Sequence, residues 1–150
     1  MSSPWIEGLR SVSLSVPDLA KAEDFYTRVW RLTVAHRTDA PLYLRGAGSD
    51  DHLLALHAGG GETPQIRHVC LRARDAAALD AIAQRAGAAG ARVLGPIAPI
   101  DDPAGGTGLR IADPHGRVFQ IVHGDTRCTP SPETTDRPQR LTHVVLNSHA

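Results

Sequence analysis

A strand followed at once by a capped helix occurs twice in this sequence, and this repeat constrains the fold more than any other feature. The first copy begins at Ser11 with Ser-Val-Ser-Leu, and Asp18 precedes its helical pattern. The second begins at His68 with His-Val-Cys-Leu, and Asp75 stands before its helix. Such alternation suits a strand with one packed face, and an aspartate can accept hydrogen bonds from the first helical turn. A third copy starts at His143 with His-Val-Val-Leu.

The segments behind each helix complete the repeat. Three short strands are expected after the first helix, at Leu32–Arg37, Pro41–Arg45 and His52–His57. Three more are expected after the second helix, at Arg92–Leu94, Gly108–Ile111 and Arg117–His123. The last two are joined by Asp-Pro-His-Gly, a β-turn sequence with proline and glycine where such turns favour them. The sequence therefore predicts an α+β fold with two βαβββ modules, at about residues 9–58 and 66–123.

The ends of the chain differ from the modules. Residues 1–8 form a lead-in before the first strand, and residues 9–124 make one domain. Residues 125–140 are polar and rich in proline, which is typical of a linker. Leu141–Asn147 is then expected to form a strand, and residues 141–150 to be the first strand of a second domain.

The composition excludes several functional classes. Lys and Arg number 16, as do Asp and Glu, so nothing indicates a nucleic acid or an anionic membrane as a partner. No apolar run approaches the roughly 18 residues of a membrane helix, and no signal peptide is recognisable. Cys70 in a strand and Cys128 in the linker form no disulfide framework. A cytoplasmic location is expected.

The two modules, the strands opening with V-x-L and the D-P-x-G turn resemble the vicinal oxygen chelate superfamily. That group includes glyoxalase I, bleomycin-resistance proteins and type I extradiol ring-cleaving dioxygenases. The resemblance covers about residues 9–124. It implies that the modules form a cupped, partly open mixed β-barrel with the helices outside.

The end of the chain is most similar to one branch of that family. In extradiol dioxygenases two such domains are joined, and the second binds Fe(II) through two histidines and a glutamate. Arg140-Leu-Thr-His-Val-Val-Leu resembles the opening of that second domain, with His143 where its first iron ligand would be. The resemblance implies the N-terminal, non-catalytic domain of an Fe(II)-dependent enzyme that cleaves a small aromatic diol during degradation of aromatic compounds. It also implies a homo-oligomer such as a dimer.

Within residues 1–124 the family's metal positions fall on Ser11, His68 and Gln120. Extradiol chemistry needs two histidines and a carboxylate on one face of the metal. Serine is a poor ligand and glutamine is neutral, so we expect no catalytic metal here. His68 is then expected to be hydrogen-bonded to a neighbour such as Gln120. A zinc site of His68 with Cys70 would lack two ligands.

His52 is the other candidate for chemistry. In catalytic domains of the family a histidine near this place acts as acid and base toward the substrate. With no metal expected nearby, the sequence favours a surface histidine at the end of a strand.

Two alternative functions remain open from the sequence. The chain could be a stand-alone, metal-free protein that binds a small ligand or confers resistance, because Ser11, Ser13 and Ser15 with Gln120 and His68 would suit a polar ligand. A glyoxalase-type lyase or isomerase is the third reading, although neither Ser11 nor Gln120 supplies the carboxylate that such enzymes use.

Overall fold

The computed structural model describes residues 3–148, which form two compact units. The first unit comprises Arg10–Arg67 and Thr126–Leu141, and the second comprises the stretch up to Leu9, His68–Asp125 and the stretch from Thr142 onward. The elements in chain order are β1 (Ile6–Val16), α1 (Leu19–Asp24), a π-helical turn (Phe25–Val29), β2 (Thr33–Arg37), β3 (Leu42–Arg45), β4 (Leu54–Ala58), β5 (Gln65–Ala73), α2 (Ala76–Arg85), β6 (Arg92–Val93), β7 (Ala98–Pro99), β8 (Thr107–Ala112) and β9 (Val118–His123). Neither α-helix of this described range has the length and apolarity that a membrane crossing requires.

The first unit is built on the strand order β2-β3-β4-β1. Strand β1 runs parallel to β4 with Val12 opposite Leu54, while β3 is antiparallel to both β2 and β4. The side chain of Asp18 accepts a hydrogen bond from the amide of Lys21 at 3.0 Å, so it caps α1 as the sequence predicted. Fully buried leucines fill the interior, including Leu44, Leu53 and Leu56.

The second unit repeats this arrangement. Strand β5 is parallel to β9, β9 is antiparallel to β8, and both β6 and β7 pair with β8. The turn between β8 and β9 closes with a hydrogen bond of 2.9 Å from the amide of Gly116 to the carbonyl of Asp113. Gly116 has a φ of +83°, which a residue without a side chain adopts at no steric cost. The predicted Asp-Pro-His-Gly turn is therefore present.

Helix α2 covers one face of the second unit's strands. Asp75 caps it by accepting from the amide of Ala78 at 2.7 Å. The core beneath it is a cluster of four buried side chains, Ala73, Leu79, Leu109 and Ile121. Strand alternation in the sequence predicts that the helix covers Val69, Leu71 and Ala73 of β5 with Phe119 and Ile121 of β9. Leu71, Ala73 and Ile121 pack in this cluster, which confirms the prediction for them.

The α+β class and the two βαβββ modules are confirmed, with two differences in detail. Strand β1 begins at Ile6 rather than near residue 9, because Gly8 does not interrupt the extended backbone, so part of the expected lead-in is strand. Residues 1 and 2 of that lead-in lie outside the described residues. Strand β7, Ala98–Pro99, was not predicted, since a two-residue strand in a Pro/Gly-rich loop has no readable period.

The polar segment after β9 is docked rather than loose. The amides of Cys128 and Ser131 donate to the carbonyls of Ser49 and Ala47 at 2.8 and 2.9 Å. In return, the amide of Ala47 donates to the carbonyl of Pro138 at 2.7 Å. Composition indicated a linker, but these backbone bonds hold residues 126–141 against the first unit.

Leu141–Asn147 is not a strand in this structure, and its assignment to a second domain stays a prediction. The carbonyl of Asn147 accepts from the guanidinium of Arg117 at 3.0 Å, so a side chain rather than a neighbouring strand bonds it. The hydroxyl of Ser148 lies 3.0 Å from Nε2 of His115. Residues 149 and 150 of the expected second-domain strand lie outside the described residues.

Candidate functional site

Cys70 and Gln120 form the centre of the second unit's polar face. The parallel register of β5 and β9 sets them directly opposite each other. Nε2 of Gln120 lies 3.7 Å from Sγ of Cys70, and both side chains are buried. His68 stands two residues before Cys70 on β5 and is half-buried. These three side chains share a face, as strand alternation predicted.

Arg110 fixes the orientation of the Gln120 amide. Strands β8 and β9 pair these two residues, and Nε of Arg110 donates to Oε1 of Gln120 at 3.1 Å. A guanidinium has donors only, so the amide oxygen must face Arg110 and the amide nitrogen must face Cys70. The amide of Gln120 thus contacts Arg110 and Cys70, and its expected hydrogen bond to His68 stays a prediction. The one atom of Gln120 that could bind a cation is therefore bonded to a guanidinium.

Ser11 in the first unit has the same kind of neighbour. Nε of Arg10 donates to Oγ of Ser11 at 3.2 Å, and Arg10 is only 1% exposed. Ser11 itself is buried. Ser11 and Gln120 are the neutral residues at positions where the resemblance implies metal ligands, and each accepts a hydrogen bond from an arginine.

Arg10 also contacts His52, which the parallel pairing of β1 and β4 explains. Val12 is opposite Leu54; Arg10 lies two residues before Val12 on β1, and His52 lies two residues before Leu54, just ahead of β4. Nη2 of Arg10 is 3.4 Å from Nε2 of His52. His52 is 2% exposed, so the expectation of a surface histidine is wrong. The β1–β4 register places the His52 ring in the interior of the first unit instead.

Asp51 continues this buried polar chain. Its carboxylate lies 2.8 Å from Nδ1 of His52 and 3.0 Å from Nε2 of His36. Burial alone would raise the pKa of Asp51, but the hydrogen bonds from His52 and His36 outweigh it and lower the pKa to about 2. The ring of Tyr43 packs against His52 with a centroid distance of 4.7 Å. We call Ser11, Arg10, His52, Asp51 and His36 the buried polar chain.

Four residues in these contacts were not predicted from the sequence. Arg10, His36, Asp51 and Arg110 all take part, and none was singled out as a site residue. The only available signal was a charged residue next to an apolar strand, at Arg10 and at Asp51. Such a residue is more often solvated, so the signal is weak.

Ser11 and Gln120 do not offer the donor chemistry that Fe(II) needs. The described residues contain no group of three or more His, Cys, Asp or Glu side chains that could hold a metal ion. A zinc site of His68 with Cys70 finds no further ligand of these types within that range. His143 lies on the exposed end segment, with Nδ1 3.0 Å from the hydroxyl of Thr142. Of Ser11, His68 and Gln120, His68 is thus the one residue that would be a good metal ligand.

A cavity of about 400 Å³ lies beside Gln120 in the second unit. Its walls come from the segment around β7 and from β8 and β9. Polar and apolar atoms contribute about equally to the wall. The apolar side chains include Leu94, Pro96 and Ile100, and the polar ones are Asp101, Arg110 and Gln120. A cavity of this volume lies within the range of small-molecule sites.

Solved structures similar to this chain come from two kinds of enzyme. The Mn(II)-bound glyoxalase from Novosphingobium aromaticivorans is 23% identical with a TM-score of 0.81, over 87% of this chain and 43% of that one. A variant of homoprotocatechuate 2,3-dioxygenase from Brevibacterium fuscum is 24% identical with a TM-score of 0.81, over 94% and 40%. Another variant of that dioxygenase, in complex with HPCA, is 25% identical with a TM-score of 0.74, over 85% and 35%.

The chain spans less than half the length of these structures. Among curated proteins no sequence matches it significantly. Residues 8–121 match the family described as the glyoxalase/bleomycin resistance protein/dioxygenase superfamily, which agrees with the βαβββ modules. The chain belongs to the glyoxalase/bleomycin resistance protein/dioxygenase superfamily.

Proposed function

We propose that this chain is the N-terminal, non-catalytic domain of an Fe(II)-dependent extradiol dioxygenase that cleaves a catechol-type ring. One observation carries the proposal: Ser11 and Gln120 are neutral and each accepts a hydrogen bond from an arginine. A divalent cation needs anionic or strongly basic ligands, and a neighbouring guanidinium repels it. Residues 1–124 then serve as a scaffold rather than as the reaction centre.

The lengths of the similar structures support a second domain. This chain covers only 35–40% of the homoprotocatechuate dioxygenase chains that it resembles. His143 lies beyond the first domain, where the resemblance puts the first iron ligand of the second domain. Fe(II) bound there would hold the catechol oxygens and dioxygen within reach of each other. In this proposal the end segment becomes a strand when the sheet of that second domain is present to pair with it.

The first domain would provide a rigid scaffold and the contacts through which copies of the enzyme assemble. Its own residues hold β5, β8 and β9 together through the bonds between Cys70, Gln120 and Arg110. We further propose a homo-oligomer in the cytoplasm, acting in the degradation of aromatic compounds.

Metal content tests the proposal. The purified chain is offered Fe(II) without oxygen and desalted, then analysed for iron and for cleavage of catechol. We expect no stoichiometric iron, the same result for His68→Ala as for the wild type, and no ring cleavage. His115→Ala is the matched control, because that histidine is exposed in a turn. One iron per chain that is lost in His68→Ala and retained in His115→Ala would overturn the proposal.

The alternative is a stand-alone, metal-free protein that binds a small ligand, which the 400 Å³ cavity favours. The glyoxalase-type reading has the Mn(II)-bound glyoxalase as a structural neighbour, but Ser11 and Gln120 supply no carboxylate to a metal. The behaviour of the purified chain separates the scaffold domain from the stand-alone protein. A chain that stays folded and does not aggregate without any second domain would favour the stand-alone protein.

A further inference from the structure

The cavity of the second unit has one cationic side chain in its wall, that of Arg110. Other arginines in the described part of the chain form ion pairs with carboxylates: Arg72 pairs with Asp125, and Arg117 pairs with Asp113. Among the described residues, no carboxylate pairs with Arg110. A guanidinium with no internal anion, placed at the wall of a cavity, is suited to an anion brought by a ligand.

Gln120 holds this guanidinium in one orientation. The bond from Nε of Arg110 to the buried Gln120 amide uses one edge of the guanidinium. The two terminal nitrogens, Nη1 and Nη2, then remain as a fork of donors. A carboxylate matches that fork with two parallel hydrogen bonds, which a neutral group cannot do as strongly.

The remaining wall restricts what the carboxylate can be attached to. Leu94, Pro96 and Ile100 offer an apolar surface, and burial of a hydrocarbon body there is favourable. Asp101 also lines the cavity, so a second carboxylate on the ligand would meet a negative charge. These side chains select an apolar body with a single acidic group.

We propose that this cavity binds a small monocarboxylate with an apolar body, held by Arg110 through the guanidinium fork that Gln120 orients. The proposal rests on the metal-free domain proposed above, because the ligand is held by Arg110 and by no metal. It adds a ligand class to a domain that otherwise acts as a scaffold.

Calorimetric titration of the full chain with benzoate, in the presence of a metal chelator, tests the proposal. Benzamide is the neutral isostere and phthalate the dicarboxylate. We expect saturable binding of benzoate at one site per chain, with benzamide and phthalate each weaker by roughly tenfold. Arg110→Gln should weaken benzoate by a similar factor, and Arg92→Gln, an exposed arginine on neighbouring β6, should not.

Two further variants keep the test decisive. Ala98→Phe, at an exposed position in the cavity wall, should block benzoate by filling the space without removing Arg110. Arg110→Lys should retain part of the affinity, because it keeps the charge but not the fork. Benzamide binding as tightly as benzoate, or an unchanged affinity in Arg110→Gln, would overturn the carboxylate site alone. Benzoate binding that appears only with Fe(II) would overturn both this site and the metal-free domain.

Discussion

Nη2 of Arg10 lies 3.4 Å from Nε2 of His52, and the two side chains are almost completely buried. Because arginine can only donate, Nε2 of His52 must be the acceptor and Nδ1 must carry the proton toward Asp51. His52 therefore bridges Arg10 and Asp51 through two hydrogen bonds.

His52→Ala should destabilise the first unit strongly. The change removes one partner of a buried guanidinium and leaves a space beside Tyr43, so we expect a loss of about 3 kcal/mol. Urea unfolding followed by circular dichroism measures it. His52→Gln should recover part of the loss, because its amide oxygen can accept from Arg10. The control His115→Ala, at an exposed turn, should unfold like the wild type. A His52→Ala variant as stable as the wild type would show that Arg10 does not depend on His52.

Asp51 should make stability depend on pH in acid. Its pKa is lowered from 3.8 to about 2 in the folded chain, so the unfolded chain binds a proton more readily. The contribution, on the order of 2 kcal/mol, is complete above about pH 4 and is lost as pH falls through about 2. Asp51→Asn should flatten the pH dependence in that window, and the exposed Asp39→Asn should leave it unchanged. Equal slopes for Asp51→Asn and the wild type would contradict this assignment.

The sequence predicted the parts of the fold that depend on local period and capping. Alternation along β5 and β9 follows from the pleat, so it located Leu71, Ala73 and Ile121 toward α2 correctly. Asp18 and Asp75 cap their helices because a cap depends on residues within one turn. Both kinds of signal are contained in a few consecutive residues.

The buried polar chain could not be predicted in the same way. Arg10 and His52 are 42 residues apart, and they meet only because β1 and β4 pair in one particular parallel register. A shift of one residue would turn the side chains of a strand to the other face. Without the register, a histidine next to an aspartate at a strand end is indistinguishable from a solvated one. The docking of residues 126–141 could not be predicted for a similar reason, because it uses backbone groups that composition does not reveal.

Asp125→Asn should destabilise the second unit. Arg72 donates to both carboxylate oxygens of Asp125, at 3.0 and 2.7 Å, and both residues are buried. The change replaces the anionic acceptor of two buried guanidinium donors by a neutral amide, for which we expect a loss of about 3 kcal/mol in urea unfolding. The exposed Asp80→Asn on α2 is the control. In the double variant Arg72→Met with Asp125→Leu we expect recovery of part of the stability, and a double variant less stable than Asp125→Asn would contradict the explanation.

Gly48→Ala should release the docked segment 126–141 from the first unit. A Cβ atom on Gly48 would clash with the carbonyl oxygen of Gln139, so the segment has to move away. That movement breaks the bond of 3.1 Å from the amide of Gly48 to the same carbonyl. Limited trypsin digestion should then cut faster after Arg127 and Arg140, while the fragment below Thr126 stays folded. Gly87→Ala is the matched control, because its Cβ would meet no atom within 4 Å. If Gly48→Ala and Gly87→Ala were cut at the same rate as the wild type, the close contact at Gln139 would not be what holds the segment in place.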